Sequence, residues 1–191
     1  TGTGIIEFLR NDTTSVAIAN TITGAGTLRF LGTNVSNQSP YDFTGTTSAF
    51  TGTVTIDDAR LRIDPADFAT SATVTVLDGG QAWMQGGTHA ENYTLNGIGW
   101  TETAGQLGAM RLENTANVTG SVTVASPSRV VAFSGASGTI TGALLGSSIS
   151  KSTSPQTPAP LVPSPSPTPP GSSEPSRSPA APSTWVPSAE G

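Results

Sequence analysis

Apolar and hydroxyl side chains alternate along several short stretches of the chain. Between Phe50 and Ile56, residues of low polarity occupy every second position and threonines fill the positions between them. The same alternation runs through 22–30 and 118–124, and Val74 and Val76 follow Val54 and Ile56 after about 20 residues. A period of two places successive side chains on opposite faces of a β-strand. The sequence therefore predicts short strands that each have an apolar face and a threonine-rich face.

A tripeptide of one apolar residue, threonine and glycine recurs along the same region. It begins at Ile22, Phe43, Phe50, Val118 and Ile140, and two of the separations are about 21 and 22 residues. Repeated units of this length stack into a coil, because one unit cannot bury its apolar row alone. The pattern predicts an all-β chain whose residues 1–150 form a parallel β-helix of roughly seven rungs. An antiparallel β-sandwich, which also has short strands at regular intervals, remains the alternative.

Three segments carry a resemblance to a known repeat. Residues 5–12 are followed by Gly24-Ala25-Gly26-Thr27-Leu28, by Gly32-Thr33-Asn34, and by Phe50-Thr51-Gly52-Thr53-Val54-Thr55-Ile56. This order resembles the autotransporter-associated β-strand repeat over residues 5–63, with an inserted loop at Gln38 to Tyr41 and a degenerate continuation over 64–146. The resemblance implies a right-handed parallel β-helix in the exported passenger of an outer-membrane autotransporter. It also implies a translocating barrel in the full precursor, and no barrel-like run of strands follows in this sequence.

The composition changes near residue 150. Twelve of the fifteen prolines lie between Pro155 and Pro187, interleaved with serine, alanine and threonine. Proline cannot donate to a strand ladder, and the segment has few large apolar residues to offset the entropy of ordering. We expect residues 151–191 to be a disordered linker or tail; a shifted reading frame is the alternative explanation.

Charge and cysteine content exclude several function classes. The net charge is −5, and the first 150 residues contain no lysine, so a nucleic-acid interface is not expected. The chain has no cysteine, which excludes disulfides, thiolate metal sites and a cysteine nucleophile. No apolar run has the length of a membrane helix, so no transmembrane segment is expected. The beginning of the chain lacks an initiator methionine and a signal peptide, which indicates a piece of a longer precursor.

Four aspartates are candidates for chemistry. Asp57, Asp58, Asp64 and Asp67 lie close together in sequence, and β-helical enzymes that cleave polysaccharides use grouped carboxylates for calcium binding or acid/base catalysis. The favoured interpretation is structural: Asp57 and Asp58 end a strand, and Asp64 to Asp67 form a turn. A calcium-binding coil would need a repeated glycine-aspartate motif, which Asp78-Gly79-Gly80 does not provide.

His89 is the single histidine, in a polar, glycine-containing segment, and we expect it to be an exposed loop residue. Trp83, Tyr93 and Trp100 surround it in sequence; such rings stack on sugars or fill cores. The Asn-x-Ser/Thr triplets at Asn11, Asn34, Asn37, Asn92 and Asn117 matter only in a eukaryotic secretory pathway.

From these features the sequence predicts no catalytic, cofactor-binding or metal site, and no enzyme. The predicted function is a structural or adhesive stalk segment of an exported bacterial surface protein, with host-surface or cell-surface glycans or proteins as partners. A β-helical carbohydrate-active enzyme, either a polysaccharide lyase or a glycoside hydrolase, and a phage-type fibre module are the alternatives.

Overall fold

The computed structural model describes residues 4–33, 38–65, 67–102, 105–133 and 135–146, and within them the chain forms strands and no helix. The predicted tail at 151–191 and the triplets at Asn34 and Asn37 lie outside the described residues. The strands are β1 (Ile5–Leu9), β2 (Val16–Ile18), β3 (Thr27–Leu31), β4 (Tyr41–Phe43), β5 (Thr53–Asp57), β6 (Arg60–Ile63), β7 (Thr73–Val76), β8 (Gln81–Met84), β9 (Gly87–His89), β10 (Asn92–Leu95), β11 (Thr101–Glu102), β12 (Gly105–Gln106), β13 (Met110–Leu112), β14 (Ala116–Val118), β15 (Val122–Val124), β16 (Val130–Ala132), β17 (Thr139–Ile140) and β18 (Leu144–Leu145).

These strands stack as a parallel β-helix. A seven-stranded sheet has the order β1-β3-β5-β7-β10-β15-β18, a six-stranded sheet contains β2, β4, β6, β8, β13 and β16, and a three-stranded sheet contains β9, β14 and β17. In the described residues every strand pair is parallel except the hairpin β11–β12. The seven-stranded sheet spans about six turns, close to the roughly seven rungs predicted. The parallel coil is confirmed, and the antiparallel sandwich is wrong.

The core consists of rows of apolar side chains that lie over one another between successive turns. Phe30, Ile56, Val76 and Leu95 are Cα partners along one such row, and each is fully buried. The ring of Phe8 extends this row, stacking on Phe30 with centroids 5.1 Å apart and planes 5° apart. Burial of one side chain of this kind contributes about 1.5–3 kcal/mol to stability. Only the stacking of successive turns removes the whole row from water.

The turns differ in length. Val74 lies over Val54 after 20 positions, whereas Val122 lies over Tyr93 after 29. The long turn contains the hairpin β11–β12, and another long turn, between Leu28 and Val54, contains the loop predicted near Gln38.

Four of the five apolar-Thr-Gly tripeptides, all except Ile22-Thr23-Gly24, place their glycine where an earlier turn approaches closely. Ile140 lies over Val118 as its spacing predicts, and the amides of Thr141 and Gly142 both donate to the Val118 carbonyl. A Cβ atom at Gly142 would overlap the backbone of Gly120, so the glycine is required by close approach. The similar spacing of Ile22 and Phe43 is misleading, since Phe43 pairs with Ile18.

Candidate functional site

The structure places the four candidate aspartates at two different corners. Asp57 is the last residue of β5 and Asp58 follows it, whereas Asp64 and Asp67 follow β6. The predicted strand end and turn are confirmed: β5 ends at Asp57, and the Asp67 carboxylate accepts from the Asp64 amide at 2.7 Å. The four carboxyl groups, which are close in sequence, therefore belong to two separate places in the fold.

Asp58 borders a shallow depression of about 350 Å³ on the surface. Asp78, Gly99, Thr101 and Gln106 also line it. Partial burial raises the pKa of Asp58, and the charges of Asp57 and Asp78 raise it further. Asp58 also adopts the left-handed backbone conformation, with φ of 46°, which asparagine and aspartate tolerate better than most residues.

The second corner holds an arginine between two carboxylates. Arg62 reaches Asp42 at 3.4 Å and Asp64 at 3.3 Å. Because all three side chains are partly exposed, these ion pairs contribute little to stability. Of the four candidate aspartates, Arg62 engages Asp64 in an ion pair.

Asp67 differs from its neighbours in its ionisation. Burial raises the pKa of Asp67 from 3.8 to about 7, and the negative charges of Asp64, Asp42 and Glu91 act in the same direction. The hydrogen bond from the Asp64 amide opposes this shift. A carboxyl group with a pKa near neutrality is suited to proton transfer. Burial without any catalytic role raises a pKa in the same way.

His89 is buried, so its predicted position in an exposed loop is wrong. It ends β9, its side chain is fully shielded from solvent, and Nε2 donates to the Gln85 carbonyl at 2.7 Å. Among the described residues, Nδ1 finds no hydrogen-bond partner. The reason is register: His89 pairs with Val118, which in turn pairs with Ile140, so it occupies an inward position of the coil.

Two of the three aromatic residues considered for sugar contact are also inaccessible. Tyr93 is 1% exposed in the inward row of β10, and its hydroxyl donates to the buried Glu91 carboxylate at 2.9 Å. Burial raises the pKa of Tyr93 well above its usual value, and the charge of Glu91 adds to the effect. Trp100 is fully buried, but beside Arg60 on the outer side of the six-stranded sheet. Neither ring offers a face to a saccharide.

The third, Trp83, lies between two arginines. The guanidinium carbon of Arg60 lies 5.3 Å from the Trp83 ring centroid, and that of Arg111 lies 4.5 Å from it. Arg60 is ion-paired with Glu102 of the hairpin, and Arg111 with Glu113. This stack was missed by sequence reasoning, although Trp83 and Arg111 are Cα partners in adjacent turns and the spacing of turns could have revealed them.

Chemically, these features are those of a packed scaffold. Both arginines of the stack are largely buried and neutralised by carboxylates, which leaves little positive charge for an anionic ligand. Among the residues that the structure describes, no three histidine, aspartate or glutamate side chains come together as a metal site. Over the same residues, no helix long and apolar enough to cross a membrane is found.

Comparison of the chain with protein families, with curated proteins and with solved structures found no match.

Proposed function

We propose that residues 1–150 form a structural or adhesive stalk segment of an exported bacterial surface protein of the autotransporter type. The observation that carries this proposal is the stack of seven parallel strands in one sheet, whose inward side chains form continuous buried rows. A coil of this kind contacts only its neighbouring turns, so its length grows by about 4.8 Å with each turn. Such an architecture suits projection from a surface.

Two further features support this proposal. The sequence resembles the autotransporter-associated repeat over 5–63, which implies export through a barrel formed by the same precursor. The chain has no cysteine, so it folds after export without an oxidising catalyst. Its partners would then be host-surface or cell-surface glycans or proteins.

Labelling of intact cells tests this proposal. Antibodies raised against the 191-residue chain are applied to intact and permeabilised cells of the source organism, with an antibody to a cytosolic protein as control. A surface protein is labelled in intact cells and lost on external protease treatment. Labelling that requires permeabilisation would contradict the proposal.

A β-helical carbohydrate-active enzyme is the second candidate, favoured by the pKa of about 7 at Asp67 beside Asp64. An enzyme of this kind would release new chain ends from an acidic or neutral polysaccharide, and Asp67→Asn would abolish the release. The matched control is Asp12→Asn, at an exposed carboxylate that is distant from Asp67 in the sequence. No release by the unaltered chain from a broad set of polysaccharides would reject this candidate.

A further inference from the structure

The outer face of the seven-stranded sheet is a two-dimensional array of hydroxyl groups. One row across β5, β7, β10 and β15 is Thr55, Thr75, Thr94 and Thr123, which are Cα partners from strand to strand. A second row, two residues earlier on each strand, is Thr53, Thr73, Asn92 and Ser121. The two rows flank the buried residues Val54, Val74, Tyr93 and Val122.

The eight array positions themselves carry no charged side chain, unlike the outer side of the six-stranded sheet. Arg60, Arg62 and Arg111 all belong to the six-stranded sheet. On the seven-stranded sheet, Arg29 is the Cα partner of Thr55 and continues its row onto β3, where it is ion-paired with Glu7 of β1. Asp57 lies on the same face, two residues after Thr55. A ligand confined to the eight array positions would meet methyl, hydroxyl and amide groups, with Arg29 and Asp57 at the border of the array.

The threonine hydroxyls of the array have no partner within the described part of the chain. Asn92 and Ser121 bond to each other at 2.6 Å, but the six threonines of the two rows make no side-chain hydrogen bond there. Their outward faces are exposed or half-buried. Six free donor and acceptor groups thus point away from the protein in a repeated arrangement.

The spacing of the array is fixed by the strands. Neighbouring strands lie about 4.8 Å apart, and alternate residues on one strand lie about 6.7 Å apart. Threonine is branched at Cβ, which restricts its χ1 angle, so the hydroxyl and methyl groups hold their orientation at little entropic cost. The oxygen atoms of hexagonal ice repeat at similar distances along two perpendicular directions of a prism face.

We propose that this array binds the surface of ice through ordered water held by its hydroxyl and methyl groups. The match in two directions allows each threonine to meet an equivalent position of the crystal, and the eight array positions contribute no charged, strongly hydrated group to the contact. An insoluble saccharide is a poorer fit, since sugar-binding faces rely on aromatic rings and the eight array positions have none.

Inhibition of ice recrystallisation by the 191-residue chain tests the proposal. The test variants are Thr75→Lys and, at a second position of the same row, Thr123→Lys. Thr88→Lys makes the same substitution at an exposed residue of β9, outside the seven-stranded sheet, and serves as the matched control. Circular dichroism melting establishes that each variant retains the fold.

We expect the unaltered chain and the Thr88 variant to keep ice crystals small, and the folded Thr75 and Thr123 variants to lose this effect at equal concentration. No effect of the unaltered chain would overturn the proposal, as would equal activity of all folded variants. If ice crystals grow unhindered, two other results would give the array a different role and overturn the proposal. One is binding of the chain to cellulose or chitin, and the other is dimerisation that Thr75→Lys abolishes.

Discussion

Gly120 lies directly over the backbone carbonyl of Glu91, one turn earlier in the coil. A Cβ atom at position 120 would overlap that carbonyl oxygen, while the Gly120 amide donates to the His89 carbonyl at 3.3 Å. In the tripeptide Val118-Thr119-Gly120, the glycine is thus required by packing between turns.

Gly120→Ala is therefore expected to destabilise the coil. Relieving the overlap requires two turns to separate, and overpacking of this kind costs about 1–3 kcal/mol. Urea titration of the free energy of unfolding measures the loss. Gly4→Ala is the control, because a Cβ atom there meets nothing within 4 Å; an equal effect of the two substitutions would contradict the close approach.

The inward and outward positions of β5 predict a second contrast. Val54 is fully buried and Thr53 is exposed. Val54→Asp buries an unpaired carboxylate and is expected to cost several kcal/mol, whereas Thr53→Asp is expected to be mild. Thermal melting of both variants checks this, and similar melting temperatures would reject the assignment of faces.

Truncation of the buried histidine is a third test. His89→Ala leaves a cavity between Val118 and the rest of the core and removes the hydrogen bond to Gln85, so we expect a loss of about 2–5 kcal/mol. Thr88→Ala, at the exposed neighbouring position, is expected to change little. The free energy of unfolding, measured with urea, distinguishes the two variants. An unchanged value for His89→Ala would contradict the burial of His89 and support the exposed loop predicted from sequence.

The pH dependence of stability follows from Asp67. Because the folded-state pKa is raised from 3.8 to about 7, the folded state binds a proton more tightly than the unfolded state does. The contribution of Asp67 to the free energy of unfolding is then largest below about pH 4, falls as pH rises toward about 7, and levels off above it. Burial shifts the pKa of Asp42 and Asp58 in the same direction.

Asp67→Asn is expected to flatten this decline while keeping an oxygen to accept from the Asp64 amide. Urea titrations from about pH 4 to about pH 8 compare the two proteins. A free energy of unfolding that rises with pH in the unaltered chain, or an unchanged slope in the variant, would show that Asp67 is not the source of the decline.

The strands and their stacking were accessible from sequence because two simple periods encode them. Alternation assigns Val54 and Val74 to the inward face, and their separation of 20 residues gives the register that the structure confirms. The turn from Asp64 to Asp67 was also predicted, since its hydrogen bonds are local.

The remaining features could not be predicted from the sequence, partly because the turns differ in length. The hairpin β11–β12 lengthens one turn to 29 residues, and only with that length does His89 align with Val118. The raised pKa of Asp67 and the burial of Trp100 depend on groups distant in sequence, so no local pattern indicates them.

Disulfide formation between introduced cysteines tests the register of the coil most directly, since the chain has no cysteine of its own. Thr55 and Thr75 are Cα partners on adjacent strands, within the separation that a disulfide spans, whereas Thr55 and Thr94 are two strands apart. Mild oxidation of the monomeric Thr55→Cys/Thr75→Cys variant should give an intramolecular disulfide, and Thr55→Cys/Thr94→Cys should remain reduced. Cross-linking of the second pair without the first would contradict the parallel stack.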